Sequence, residues 1–194
     1  MIHSIFEYLR SRQTPKIRVF HIVVLLMAVS QIIVSNFIGF TGTGEIKRNA
    51  VNFYGTLTHI GTGLTLLPIA LIFTFLLLKE HGLRYFFPYI FGDLKQVKMD
   101  IKKLLNFKLP DPEARGLSTI VEGLGLGALF LALLSGLTWF ISWRLNAPWA
   151  PGIKNLHKLI VGLIELYIIG HGAMGLLHIY FYSRGKTDES ETTQ

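Results

Sequence analysis

The sequence of 194 residues contains no cysteine. This absence excludes disulfide bonds, iron–sulfur clusters held by thiolates and the covalent C-x-x-C-H attachment of haem. Charge is also scarce, at 16% of the residues, and 12 acidic side chains stand against 19 Lys and Arg. Because 51% of the residues are hydrophobic and the mean hydropathy is +0.45, the chain is too apolar for an ordinary soluble domain.

Four long apolar runs are what the sequence has instead. Each is long enough to cross a bilayer core of about 30 Å, and backbone groups in lipid need internal partners, so we predict that the runs are helices. They cover approximately Val19–Gly39, Phe53–Leu78, Leu117–Trp143 and Asn155–Tyr182. The sequence therefore predicts an all-α integral membrane protein, a four-transmembrane-helix bundle forming a single domain over residues 1–186, with a polar C-terminal tail at 187–194.

The loop between the second and third runs contains a further helical pattern. Over residues 92–106, apolar side chains recur at helical spacing among lysines: Leu94, Val97, Ile101, Leu104 and Leu105. This pattern predicts an amphipathic helix on the cytoplasmic membrane surface. Such a helix could contact lipid, or it could dock a cytoplasmic partner.

The basic residues indicate how the runs are oriented. Lys and Arg concentrate in the N-terminal tail, the central loop and the C-terminal tail, which all lie on one side if the helices alternate in direction. By the positive-inside rule we expect both termini to be cytoplasmic. The net charge of +7 then reflects membrane topology, and we expect no nucleic-acid binding. The first run lacks a small-residue cleavage pattern, so we expect it to be retained.

Two glycine-rich segments do not match nucleotide-binding motifs. Gly42, Gly44 and Lys47 lack the spacing of a phosphate loop, and Gly123, Gly125 and Gly127 lack a preceding strand. The first segment is interpreted as a turn. The second lets a neighbouring helix or a flat cofactor approach closely, and close helix packing is the preferred interpretation.

Histidines supply the main candidate site. His157 and His171 are fourteen positions apart in the last run, so they share one helix face at heights that differ by about 21 Å. His59, near the external end of the second run, is level with His157. His21, near the cytoplasmic end of the first run, is level with His171, although by depth alone His178 matches it equally well.

Two imidazoles without any cysteine indicate haem iron. Iron with both axial positions filled can change oxidation state but does not readily bind oxygen, so two such sites at two depths predict an electron path. A histidine in a membrane can instead hydrogen-bond a neighbouring helix or relay protons. A haem-free membrane anchor or a proton-relay transporter subunit is therefore the alternative function.

Other polar residues lie where they could face the bundle interior or pair with a bound haem. Gln31 and Asn36 make the first run more polar than lipid exposure favours, so we expect part of it to face the interior or a partner. Lys158, next to His157, and Arg18, one turn before His21, could pair with haem propionates or with lipid headgroups.

The chain resembles the bacterial cytochrome b-561 superfamily over nearly its whole length. The resemblance rests on the segments Leu156–Lys158 and Gly170–Gly172, which carry histidines fourteen apart, and on a histidine in each of the first two runs. It particularly resembles the four-helix di-haem cytochrome b subunits that anchor formate dehydrogenases (the gamma subunit) and nickel-iron hydrogenases (the b-type subunit).

This resemblance implies two non-covalent b haems, one held by His59 and His157 on the external side and one by His21 and His171 on the cytoplasmic side. It favours His171 over His178. It also implies a multi-pass protein of the bacterial inner membrane that passes electrons between the quinone pool and a catalytic, iron–sulfur or cytochrome partner subunit of the respiratory chain. We expect quinone, membrane lipid and that subunit as binding partners.

Overall fold

The computed structural model describes residues 2–192, with side chains for 6–184. Helices account for nearly all regular structure in this part of the chain. In chain order they are α1 (Ile2–Arg12), α2 (Pro15–Ser35), α3 (Ala50–His81), α4 (Leu83–Phe86), a 3-10 helix (Pro88–Phe91), α5 (Lys95–Leu105), α6 (Leu117–Arg144) and α7 (Ala150–Thr192).

Four of the described helices are long and apolar enough to span a membrane, namely α2, α3, α6 and α7 as far as Arg184. The all-α fold predicted from the sequence is therefore confirmed. The helix ends differ from the ends of the apolar runs because local signals set them, and α2 both begins and ends four residues before its run. Pro15 starts α2 at a position where its missing N–H costs nothing, and the side chain of Asn49 accepts a hydrogen bond from the backbone N of Asn52 at 2.9 Å to start α3.

The bundle packs as two helix pairs. Helix α2 lies against α3, α6 lies against α7, and α3 joins the pairs by contacting α6. The core between them is formed by a small set of apolar side chains: Ile17, Val24, Leu66, Ala70, Phe73, Leu129, Ala132 and Ile164. Most other apolar side chains of the long helices are exposed, Leu159 by 74% for example, as expected where lipid replaces water.

Glycines on α6 permit this packing, as predicted. A Cβ atom on Gly125 would collide with the ring of Tyr167 from α7, and one on Gly123 would lie 2.9 Å from the carbonyl oxygen of Phe86. The space beside Gly127 is open. Two of the three glycines therefore provide close approach between elements.

The predicted amphipathic helix is present as α5, and Asp100 fastens it to the bundle. Its buried carboxylate accepts hydrogen bonds at 2.8 Å from the backbone N of Leu117, at the start of α6, and from the amide of Gln96. The N-terminus of α6 is thus capped from another helix. Gly116 leaves room for this, since a Cβ there would overlap the Asp100 carboxylate.

A second tie lies just before α5. Asp93 forms ion pairs of 3.0 Å with both Arg84 and Arg115. Desolvation is the largest single influence and raises the pKa of Asp93, but the two guanidinium groups together outweigh it, so the pKa lies below its ordinary value of 3.8. These ion pairs therefore connect the beginning and the end of the segment between α3 and α6.

The N-terminal segment differs from expectation, because it is helical. Residues 2–12, interpreted as part of a basic tail, form α1, and its Tyr8 packs edge-on against Tyr182 with ring centroids 5.6 Å apart. Ile2, Ile5, Phe6 and Leu9 recur at helical spacing in this segment, but its basic residues favoured the interpretation as a tail. The predicted polar tail at 187–194 lies beyond the last described side chain and stays a prediction.

Candidate haem-ligand sites

The four predicted histidines lie in two pairs at two levels of the bundle. His59 on α3 faces His157 on α7, with ring centroids 6.4 Å apart and planes at 75°. His21 on α2 faces His171, also on α7, with centroids 6.2 Å apart and planes at 68°. We call these the 59/157 pair and the 21/171 pair. The helical rise places the two α7 histidines about 21 Å apart along the helix.

The spacing within each pair fits one metal ion between two imidazoles. A bond from a histidine nitrogen to a transition metal is about 2.0 Å long, and each ring centroid lies roughly 1 Å behind its nitrogen, so opposed rings have centroids about 6 Å apart. Among the side chains of residues 6–184, no group of three or more His, Asp or Glu could hold a metal. A metal on these pairs therefore has to bring its other ligands with it, as haem iron does.

The surroundings of the 59/157 pair fit a flat, mostly apolar ligand. A cavity of about 450 Å³ lies beside both rings, within the size range of about 300–1,000 Å³ usual for ligand pockets. Its lining is largely apolar. The polar side chains that reach it, besides the histidines, include Gln31, Lys154, Lys158 and Glu165.

Lys154 is held over aromatic rings at this cavity. Its ammonium nitrogen lies 4.2 Å from the ring centroid of Phe40 and 5.9 Å from that of Trp139. Cation–π contacts of this kind position a lysine in an apolar setting. Together with Lys158, it gives the cavity two cationic groups suited to the carboxylates of haem propionates.

Polar side chains contact the Nδ1 atom of three of the four histidines. The distances are 3.0 Å from the Gln13 amide to His21, 3.0 Å from the Gln31 amide to His59 and 3.0 Å from Ser135 Oγ to His157. A ring that ligates through Nε2 needs an acceptor at Nδ1, which a hydroxyl oxygen supplies directly and a Gln side chain supplies through its amide oxygen.

The rings of the 21/171 pair are also held by stacking. Phe73 lies parallel to His21 at 6.0 Å between centroids, and Tyr167 lies nearly parallel to His171 at 5.1 Å. Tyr167 in turn rests on Gly125. His178 is two turns further along α7, and no ring contact joins it to His21 among the described side chains.

Sequence reasoning located the histidines but missed most of their supports. Gln31 was expected to face the interior, and it does contact α3, where its amide also hydrogen-bonds Thr62. Asn36 was expected to do so too, but it is exposed and bonds the carbonyl groups of its own helix. The contacts of Ser135 and Tyr167 had no signal in the sequence because each depends on how two helices pack, and that of Gln13 depends on the turn between α1 and α2.

An all-helical chain with four membrane-length helices and imidazole pairs suited to metal ligation defines a class, the membrane-embedded b-type cytochromes. A family model described as Prokaryotic cytochrome b561 matches residues 12–186, which is most of the chain, and the chain belongs to this family. It is thus a multi-pass bacterial membrane protein of the b-type haem electron-transfer class. Neither the curated proteins nor the solved structures gave a significant match.

Proposed function

We propose that the chain is a di-haem b-type cytochrome subunit that carries electrons across the membrane between a partner oxidoreductase and the quinone pool. The observation that carries this proposal is the presence of two imidazole pairs, each at ligand spacing, at two levels of one bundle. In this proposal His59 and His157 would hold the haem at one level, and His21 and His171 would hold the haem at the other.

Each residue set has a defined task in this proposal. Each histidine pair would hold its haem iron through two imidazoles, an arrangement that would favour electron transfer over oxygen binding. When bound, each haem supplies a one-electron ferric/ferrous couple. The apolar cavity lining excludes water, and Lys154 and Lys158 neutralise the propionates of the haem at the 59/157 pair.

The direction across the membrane follows from charge. Because most Lys and Arg lie in the two tails and the central loop, we place the 21/171 pair near the cytoplasm and the 59/157 pair near the external side, with both termini cytoplasmic in the inner membrane. Electron transfer between the levels would then move charge across the lipid.

The partner and quinone are proposed from the likeness to the membrane subunits of formate dehydrogenases and nickel-iron hydrogenases. Among the side chains described, those of residues 6–184, there is no cluster of three or more metal-ligating groups. We therefore assign substrate conversion to a partner subunit carrying iron–sulfur or cytochrome centres, and quinone chemistry to the cytoplasmic level.

The proposal is tested on the chain purified from native membranes in mild detergent. We expect two b haems per chain by pyridine haemochromogen assay, reduction of both by a quinol analogue, and a copurifying redox subunit. A preparation without a haem absorption band would favour the haem-free anchor or proton-relay alternative, and one haem per chain would contradict the two-site assignment.

A further inference from the structure

Ser135 on α6 makes two hydrogen bonds that together indicate which ring nitrogen of His157 carries the proton. Its hydroxyl donates to the carbonyl oxygen of Ala132, one turn earlier, at 2.9 Å. Its oxygen lies 3.0 Å from Nδ1 of His157. A hydroxyl has one proton to donate, so toward His157 it accepts, and Nδ1 of His157 is the protonated nitrogen.

A neutral imidazole protonated at Nδ1 has its lone pair on Nε2. That nitrogen is then the one available to a metal. The neighbouring Gly136 assists, because a Cβ there would lie 3.0 Å from Cε1 of His157, and its absence lets the ring lie against α6. Ser135 thus favours one tautomer of this ring, and Gly136 allows its position against α6.

We propose that Ser135 is a positioning residue for His157, which orients the ring, fixes its tautomer and strengthens it as a ligand. This inference rests on the proposed ligation by the 59/157 pair. The ring of His171 has no hydrogen-bond partner among the side chains that the structure describes, and is held by stacking on Tyr167. Ser135 therefore acts on one level only.

The expected effect has a defined sign. An acceptor at Nδ1–H makes the imidazole more basic, and a more basic ligand favours ferric over ferrous iron. Removing the acceptor should therefore raise the midpoint potential of the haem at the 59/157 pair. A tenfold loss of ferric preference corresponds to a shift of about 59 mV for a one-electron couple.

The experiment is a redox titration of haem-loaded protein with Ser135→Ala in a His171→Ala background, where only the 59/157 haem remains. Ser142→Ala is the matched control, since Ser142 lies seven residues further on α6 and bonds Thr138 of its own helix at 2.8 Å without touching a histidine. We expect a positive shift for Ser135→Ala, none for Ser142→Ala, and a nearly native potential for Ser135→Thr.

Equal potentials in the Ser135→Ala and Ser142→Ala variants would overturn the inference. If Ser135→Ala loses this haem altogether, Ser135→Thr decides: recovery of the haem at a nearly native potential supports the positioning role, and loss in both variants rejects it. Failure of the ligand assignment itself shows separately, because His157→Ala would then keep both haems.

Discussion

The ring of His171 is held by stacking on Tyr167, and Tyr167 packs closely on Gly125. Tyr167 lies against His171 on one side and over Gly125 of α6 on the other. Any side chain at Gly125 meets the tyrosine ring, so the tyrosine must move, and His171 loses the surface that keeps its plane in position. The geometry of this pair thus depends on a residue that carries no side chain.

Gly125→Val should therefore lose the haem at the 21/171 pair while keeping the one at the 59/157 pair. Overpacking of this kind typically costs about 1–3 kcal/mol locally. Gly127→Val is the control, because the space beside Gly127 is open. Haem content and redox titration of both variants check this, and equal loss in the two would show that Gly125 has no special role.

The limits of sequence reasoning are clear from two serines on one helix. Ser135 and Ser142 look alike in the sequence, and both bond a carbonyl group of α6. Only Ser135 meets a histidine, because α7 passes beside it. The spacing of His157 and His171 on a single helix could be predicted from helical rise alone, whereas contacts such as that of Ser135 depend on the packing of two helices.

Among the elements, α5 is a helix within a loop that side-chain contacts fix to the bundle. The buried Asp100 carboxylate joins α5 to the first turn of α6, and Asp93 links Arg84 to Arg115 across the same loop. The amphipathic pattern predicted this helix, since lysines alternate with apolar residues at a clear period. The attachment through Asp100 could not be predicted, because an acid within a charged helix is usually solvated.

Asp100→Ala should detach α5 from α6. Loss of a helix cap and a buried acceptor typically costs about 1–2 kcal/mol. Asp111→Ala is the control, since Asp111 is 74% exposed and forms only a surface ion pair with Lys103 at 3.3 Å. Limited proteolysis at residues 92–116 should accelerate in the first variant only. Equal cleavage rates in the two variants would count against the anchoring role.

For the whole molecule, the distribution of charge sets the proposed direction. Four apolar helices could be predicted from composition and run length, because lipid requires every backbone group to be satisfied within a helix. The segment 2–12 carries apolar residues at helical spacing, but its packing against the end of α7 could not be predicted, because that contact joins distant parts of the chain.

Reporter fusions should place both termini in the cytoplasm. Green fluorescent protein fused after residue 194 should fluoresce, and alkaline phosphatase inserted in the loop at 40–49 should be active, because that enzyme matures only outside the cytoplasm. The reverse pattern, with active phosphatase at the C-terminus, would contradict the orientation proposed from the basic residues.

The central claim is that each histidine pair holds its own haem. The most direct measurement is the haem content of variants in which one histidine at a time is replaced. His157→Ala and His171→Ala should each retain one haem per chain, with different midpoint potentials, while His178→Ala retains two. Two haems in both of the first variants, or one haem in His178→Ala, would contradict the account.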